Sequence, residues 1–150
     1  ILFFTLLLLI AGCNNNKKYS AEVSVVESNE PANDQVSASE YREFNKADYE
    51  KSLSENKIVL LDFYANWCPI CKAENPNLRQ ALKEINNPNV IAYQVHYNDN
   101  EVTQEEEDLA KQFGVTYQHT KIILKNNQVV LKSLESWSKE KTLSELNKFL

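Results

Sequence analysis

The chain has 150 residues, 43% hydrophobic and 25% charged, an ordinary globular composition with room for one domain and something extra. The formal net charge is -5 and the pI about 5.1, so there is no basic footprint for nucleic acid, and the scattered lysines and glutamates read as a solvated face. There is no methionine, not even a first one, so the sequence reads as a fragment missing its true start.

The chain opens on ILFFTLLLLIAGC. Its apolar run is too short for a membrane span, which needs about 20 residues, but suits the apolar core of a secretory signal. Ile10, Ala11, Gly12 and Cys13 resemble the lipobox of bacterial lipoproteins. That resemblance implies cleavage after residue 12 and lipid on Cys13, which would hold the protein on a membrane surface outside the cytoplasm without spanning it. The alternative is an ordinary signal peptide with an incidental cysteine. Residues 1–12 are thus a signal segment truncated at its start, and residues 13–39 the lipidated cysteine and a linker. The linker is polar, rich in Asn, Ser and Glu, with a root-mean-square reach of roughly 25–30 Å.

Regular patterning begins near residue 40 and runs to residue 150. YREF (41–44) reads as a short strand, and Asn45 as the cap of a helix ending near Ser54. IVLLDFYA (58–65) is an apolar run broken by one Asp, which suits a strand buried on both faces. A helix follows from Pro69, at the position where its missing N–H costs nothing, to Ile85, with a kink expected at Pro76. VIAYQVHY (90–97) is a second buried strand. Thr103 and Glu106 form a capping box for a helix ending at Phe113, with Gly114 at the C′ position. KIILK (121–125) and QVVLKS (128–133) flank Asn126-Asn127, a hairpin signal. A last helix from Lys139 carries Leu143, Leu146 and Leu150 on one face. The order βαβαβαββα implies an α/β fold, a mixed sheet with helices on both faces.

NWCPICK (66–72) places Cys68 and Cys71 at a helix start. Unpaired N–H groups and partial positive charge collect there, so a thiol at that position loses its proton more readily. Cys68 is expected to attack, and Cys71, one turn into the helix and less exposed, to resolve the mixed disulfide. Pro69 and Ile70 keep polar competitors out of the turn. A static disulfide is the bland alternative, but its loop is so short that it would staple the chain poorly.

Strand, Trp-Cys-x-x-Cys and proline-containing helix together resemble the thioredoxin superfamily over residues 40–150. The resemblance rests on Asp62, six before Cys68, on Trp67, on Pro76, five after Cys71, and on FGV (113–115), the KNN hairpin and the final helix. It implies a three-layer α/β/α sandwich and thiol–disulfide exchange, with a redox-active Cys68–Cys71 disulfide and no further cofactor. It also implies that Asp62 serves as general base for Cys71; a solvated Asp62 at a strand end is the alternative. Many relatives carry a lysine on the adjacent strand near this Asp, and alignment places Tyr93 there. Trp67 reads either as part of the substrate rim or as core, Trp137 as packing for the last helix, and His96 as structural or surface.

One position departs from the family pattern. After FGV a cis-proline followed by threonine is expected facing the cysteines, but the chain has His119 and Thr120. Either the 118–119 peptide is cis, at about 3 kcal/mol for a non-proline bond, or the loop has relaxed to trans. Three readings of His119 stand: an electrostatic partner tuning Cys68, a third metal ligand beside Cys68 and Cys71, or a tolerated loop residue. The leading expectation is a membrane-tethered, extracytoplasmic oxidoreductase acting on protein disulfides or dithiols, with a membrane electron donor if it works as a reductase. A metal-binding or metal-delivery lipoprotein using Cys68, Cys71 and His119 is the alternative. A third reading is a binding module with an idle disulfide.

Overall fold

The computed structural model describes residues 38–150. The signal segment, Cys13 and all but the last two residues of the expected linker lie outside the described residues. Ser39, read as the linker's end, is buried, and its hydroxyl both donates to the carbonyl of Asn87 and accepts its N–H, each at 2.9 Å.

The elements are β1 (Glu40–Glu43), α1 (Lys46–Ser54), β2 (Ile58–Tyr64), α2 (Pro69–Ile85), β3 (Val90–His96), α3 (Gln104–Gln112), β4 (Thr120–Lys125), β5 (Gln128–Ser133) and α4 (Lys139–Asn147). They form one five-stranded sheet in the order β1-β3-β2-β4-β5. β1, β3 and β2 are parallel, and β4 and β5 are antiparallel to their neighbours. This is the mixed sheet expected from the sequence.

Strand alternation sends side chains to two separate cores. Val59, Leu61 and Phe63 of β2 pack with Tyr49 of α1 and Leu109 and Ala110 of α3. Ile58 and Leu60 pack on the other face with Leu78 and Leu82 of α2, Leu146 of α4 and Trp137. By the same alternation Asp62 falls on the α2 face, the side from which the cysteines approach.

The local signals act as expected at most ends. Asn45 caps α1, and Thr103 and Glu106 make a reciprocal capping box on α3. Gly114, at φ +57°, closes α3 in a Schellman motif: its N–H reaches Lys111 O and the Val115 N–H reaches Ala110 O. Asn126 and Asn127 both have positive φ, as a type I′ hairpin requires. α2 runs continuously through Pro76. The last helix differs from expectation. It ends at Asn147, and Leu150 lies beyond it with 52% exposure, so Leu146 and Phe149 supply the apolar contact instead.

Candidate functional site: a buried dithiol at a helix start

β2 ends at Tyr64, and four residues later Cys68 is the N-cap of α2 with Pro69 as the first helical residue. The Cys68 Sγ accepts the backbone N–H of Cys71 at 3.2 Å. Both cysteines are free thiols and both are buried, each 1% exposed. The expected difference in exposure between them is therefore absent. Burial pushes the Cys71 thiol well above its ordinary pKa, and its hydrogen bond with Cys68 adds to the effect.

Around the pair lies an exposed apolar rim. Trp67 is 52% exposed, Ile70 43% and Tyr117 60%. Trp67 is thus a rim residue rather than core, and its indole N–H donates to Asn98 O at 2.9 Å. The loop between β3 and α3 braces this corner. Asp99 accepts the Asn66 N–H at 2.9 Å and faces the His96 ring nitrogen Nδ1 at 2.9 Å. Burial pulls the His96 pKa down, but the bond to Asp99 and the nearby carboxylates outweigh it, and the net shift is upward.

Beneath the dithiol, Asp62 is 2% exposed. The hydroxyl of Tyr41 donates to its Oδ2 at 2.8 Å, and the ammonium of Lys121 stands 3.9 Å from its Oδ1. Burial raises the Asp62 pKa to about 6, against the pull of Lys121 and Tyr41 and with a push from Glu74. The expectation for Tyr93 is corrected here. The β3 residue in register with Asp62 is Gln94; Tyr93 points to the opposite face, its hydroxyl 2.8 Å from Ser52 Oγ. The cation comes from the other neighbouring strand, because Lys121 of β4 is the antiparallel partner of Asp62.

Lys121 is fully buried, and its ammonium has two hydrogen-bond acceptors and a nearby second carboxylate. It contacts the Glu74 carboxylate at 2.5 Å and His119 O at 3.1 Å, besides facing Asp62. Glu74, three residues after Cys71 and 2% exposed, also accepts the Trp137 N–H. Lys121, Glu74 and Tyr41 escaped the sequence reading. A signal existed: Lys121 shares strand parity with inward-facing Ile123, and Glu74 shares a helix face with Cys71 and Leu78.

The loop at His119 is rebuilt rather than merely substituted. His119 sits at φ +51°, where proline cannot go, and its N–H donates to Phe63 O at 2.6 Å, a bond proline cannot make. Its Nδ1 is buried with no hydrogen-bond partner. Cys68, Cys71 and His119 each present a ligand atom within 4.8 Å of the others. Thr120 is fully buried, and its hydroxyl donates to Tyr117 O at 2.6 Å.

The family model described as Thioredoxin matches residues 40–150. Thioredoxin of Haemophilus influenzae is 31% identical over 113 residues, covering 75% of this chain and 99% of that protein. A thioredoxin-like protein of Fusarium culmorum is 33% identical over 93 residues, covering 57% of this chain and 73% of that protein. Thioredoxin f of spinach chloroplast superposes with a TM-score of 0.58 at 26% identity, over 74% of this chain and 94% of that one. The chain belongs to the thioredoxin family, as a thioredoxin-like redox protein with both cysteines of the pair in place.

Proposed function

We propose that the protein is a thiol–disulfide oxidoreductase acting on other proteins, held at a bacterial membrane surface outside the cytoplasm by lipid on Cys13. The observation that carries the catalytic part is the reduced Cys68–Cys71 pair at the start of α2, above a buried Asp62 with a pKa near 6. Family membership supports the activity class. The tether rests on the apolar leader ending in Cys13 and the polar stretch that follows.

In the reducing direction, the Cys68 sulfur attacks one sulfur of a substrate disulfide. A mixed disulfide forms and the other substrate sulfur leaves as a thiolate that takes a proton. The Cys71 thiol then gives its proton to the Asp62 carboxylate and attacks Cys68 Sγ. The Cys68–Cys71 disulfide closes, the second substrate thiolate departs, and two electrons have passed to the substrate. A carboxylate with a pKa near 6 is ionised at neutral pH and can accept that proton. Trp67, Ile70 and Tyr117 provide the apolar rim on which the substrate backbone settles. The oxidising direction runs the same steps backward, with the reduced protein returned by an electron acceptor.

Trapping tests this reading. Cys71→Ser should accumulate mixed disulfides through Cys68 with extracytoplasmic proteins, and Cys68→Ser should trap none. Equal trapping by both variants, or none by either, contradicts it. Lipidation is tested separately, by loss of membrane retention in Cys13→Ala.

A further inference from the structure

We propose that the reduced protein carries a thiophilic metal site in which Cys68, Cys71 and His119 together take one cation of the Zn²⁺ class and leave a fourth position open. The three ligand atoms already lie within 4.8 Å of one another. In a tetrahedral site with bonds of about 2.3 Å to sulfur and about 2.0–2.1 Å to nitrogen, such atoms stand roughly 3.5–3.8 Å apart. The largest separation therefore exceeds the tetrahedral one by about an ångström.

The imidazole's setting favours a ligand over a spectator. A buried ring nitrogen without a hydrogen-bond partner is costly, and His119 Nδ1 is the buried side-chain polar atom among the described residues that has none. The backbone that carries it is fixed at both ends. The His119 N–H is held by Phe63 O at 2.6 Å, and its carbonyl accepts from Lys121 Nζ at 3.1 Å. Those two bonds aim the ring into the space beside the thiols, where a proline would offer neither a ligand nor an N–H. Two thiolates and a divalent cation also sum to no net charge, which suits a buried pair.

Binding moves no electrons. Two metal–sulfur bonds and one metal–nitrogen bond form, and the two thiol protons leave to solvent. Because the ligands are the thiols of the dithiol, the metal and the Cys68–Cys71 disulfide exclude each other. Oxidation releases the cation, and bound cation withholds the dithiol from exchange. The inference needs only reduced thiols, so it stands or falls separately from the exchange reading.

The test uses the full chain, reduced and stripped of metal, titrated with Co²⁺ as a spectroscopic probe and then with Zn²⁺. One equivalent of Co²⁺ should bind with thiolate charge-transfer absorption, Zn²⁺ should displace it, and prior oxidation to the disulfide should abolish it. His119→Asn keeps a residue that tolerates positive φ and should weaken binding at least about a hundredfold, since even losing an outer-shell partner costs tenfold to a hundredfold. His119→Cys should restore binding, with charge-transfer intensity rising from two thiolates to three. Wild-type affinity in His119→Asn overturns the proposal, as does failure of the reduced wild type to take up Co²⁺. Should His119→Asn not fold, the thiolate count in His119→Cys decides: three supports the site and two refutes it.

Discussion

Lys121 and Asp62 are Cα partners across the β2–β4 ladder, with the ammonium 3.9 Å from Asp62 Oδ1 and 2.5 Å from Glu74 Oε2. One buried cation therefore serves two buried carboxylates. Glu74 has the closer contact, and Asp62 is left with burial as its dominant influence and a pKa of about 6. Burial raises the Asp62 carboxyl to about 6 even though Lys121 pulls it down, which leaves it able to take up and release a proton close to neutral pH.

Removing the shared cation should be severe. Lys121→Met leaves two carboxylates buried without a counter-charge, at a cost of about 3–5 kcal/mol near pH 7. The loss should shrink in acid, where the carboxylates protonate. Urea denaturation of wild type and variant at both pH values measures it. A cost that does not change with pH would mean that packing, not charge, sets the role of Lys121.

Asp62→Asn should act in the opposite direction. A folded-state pKa near 6 against an ordinary carboxyl near 3.8 means that the native state binds more protons than the unfolded chain between those values. Stability contributed by this group is then highest below about pH 4 and falls as pH rises toward 6, by about 3 kcal/mol at most. The variant should be more stable than wild type at pH 7 and equal to it near pH 4, while resolution of the mixed disulfide slows. Denaturation against pH, paired with stopped-flow exchange, checks both halves.

Much of this architecture was legible in the sequence, and the exceptions share a cause. Apart from the C-terminal end of the last helix, every helix and strand appears within a residue or two of its expected bounds, because apolar periodicity and caps such as Asn45, Thr103 and Gly114 are local signals. Cys68 was visible from its place at a helix start, and Asp62 from the resemblance that it shares with Trp67 and Pro76. What stayed hidden depends on register and long-range pairing. Tyr93 and Gln94 differ by one position, and one position reverses the face of the sheet. Lys121 meets Glu74 only once β4 has docked beside β2 and α2 has crossed over both. The backbone at His119 was hidden too, since nothing local announces a positive φ there.

That backbone gives a sharp prediction. His119→Pro, nominally the return to the family pattern, should destabilise the protein. It removes the N–H that Phe63 O accepts and forces φ away from +51°, costing about 1–3 kcal/mol for the lost bond alone. His119→Asn should cost less. Thermal unfolding of the two variants ranks them, and a stabilised His119→Pro would show that the loop reverts freely.

His96 and Asp99 brace the Trp67 corner through an ion pair with a definite pH window. The raised His96 pKa contributes stability that is full below the unfolded value, about 6.5, and is lost as pH rises through the folded one. The lowered Asp99 pKa has burial as its largest opposing influence and the His96 bond as its largest favourable one; its contribution is present above the ordinary carboxyl value and lost as pH falls through the folded one. Asp99→Asn should therefore cost most between about pH 4 and 6.5, on the order of 1–2 kcal/mol. Chemical denaturation across that range, with Trp67 fluorescence as a local probe, should show the maximum. A flat cost would contradict the pairing.

The most direct test of the central claim is the reduction potential of the Cys68–Cys71 pair, obtained by equilibrating the chain with glutathione and counting thiols. The account predicts a reversible two-electron couple, with a potential near about −270 mV marking a reductase and one near about −120 mV an oxidant. A pair that forms no disulfide under any glutathione ratio, or forms one that cannot be reduced, would contradict it.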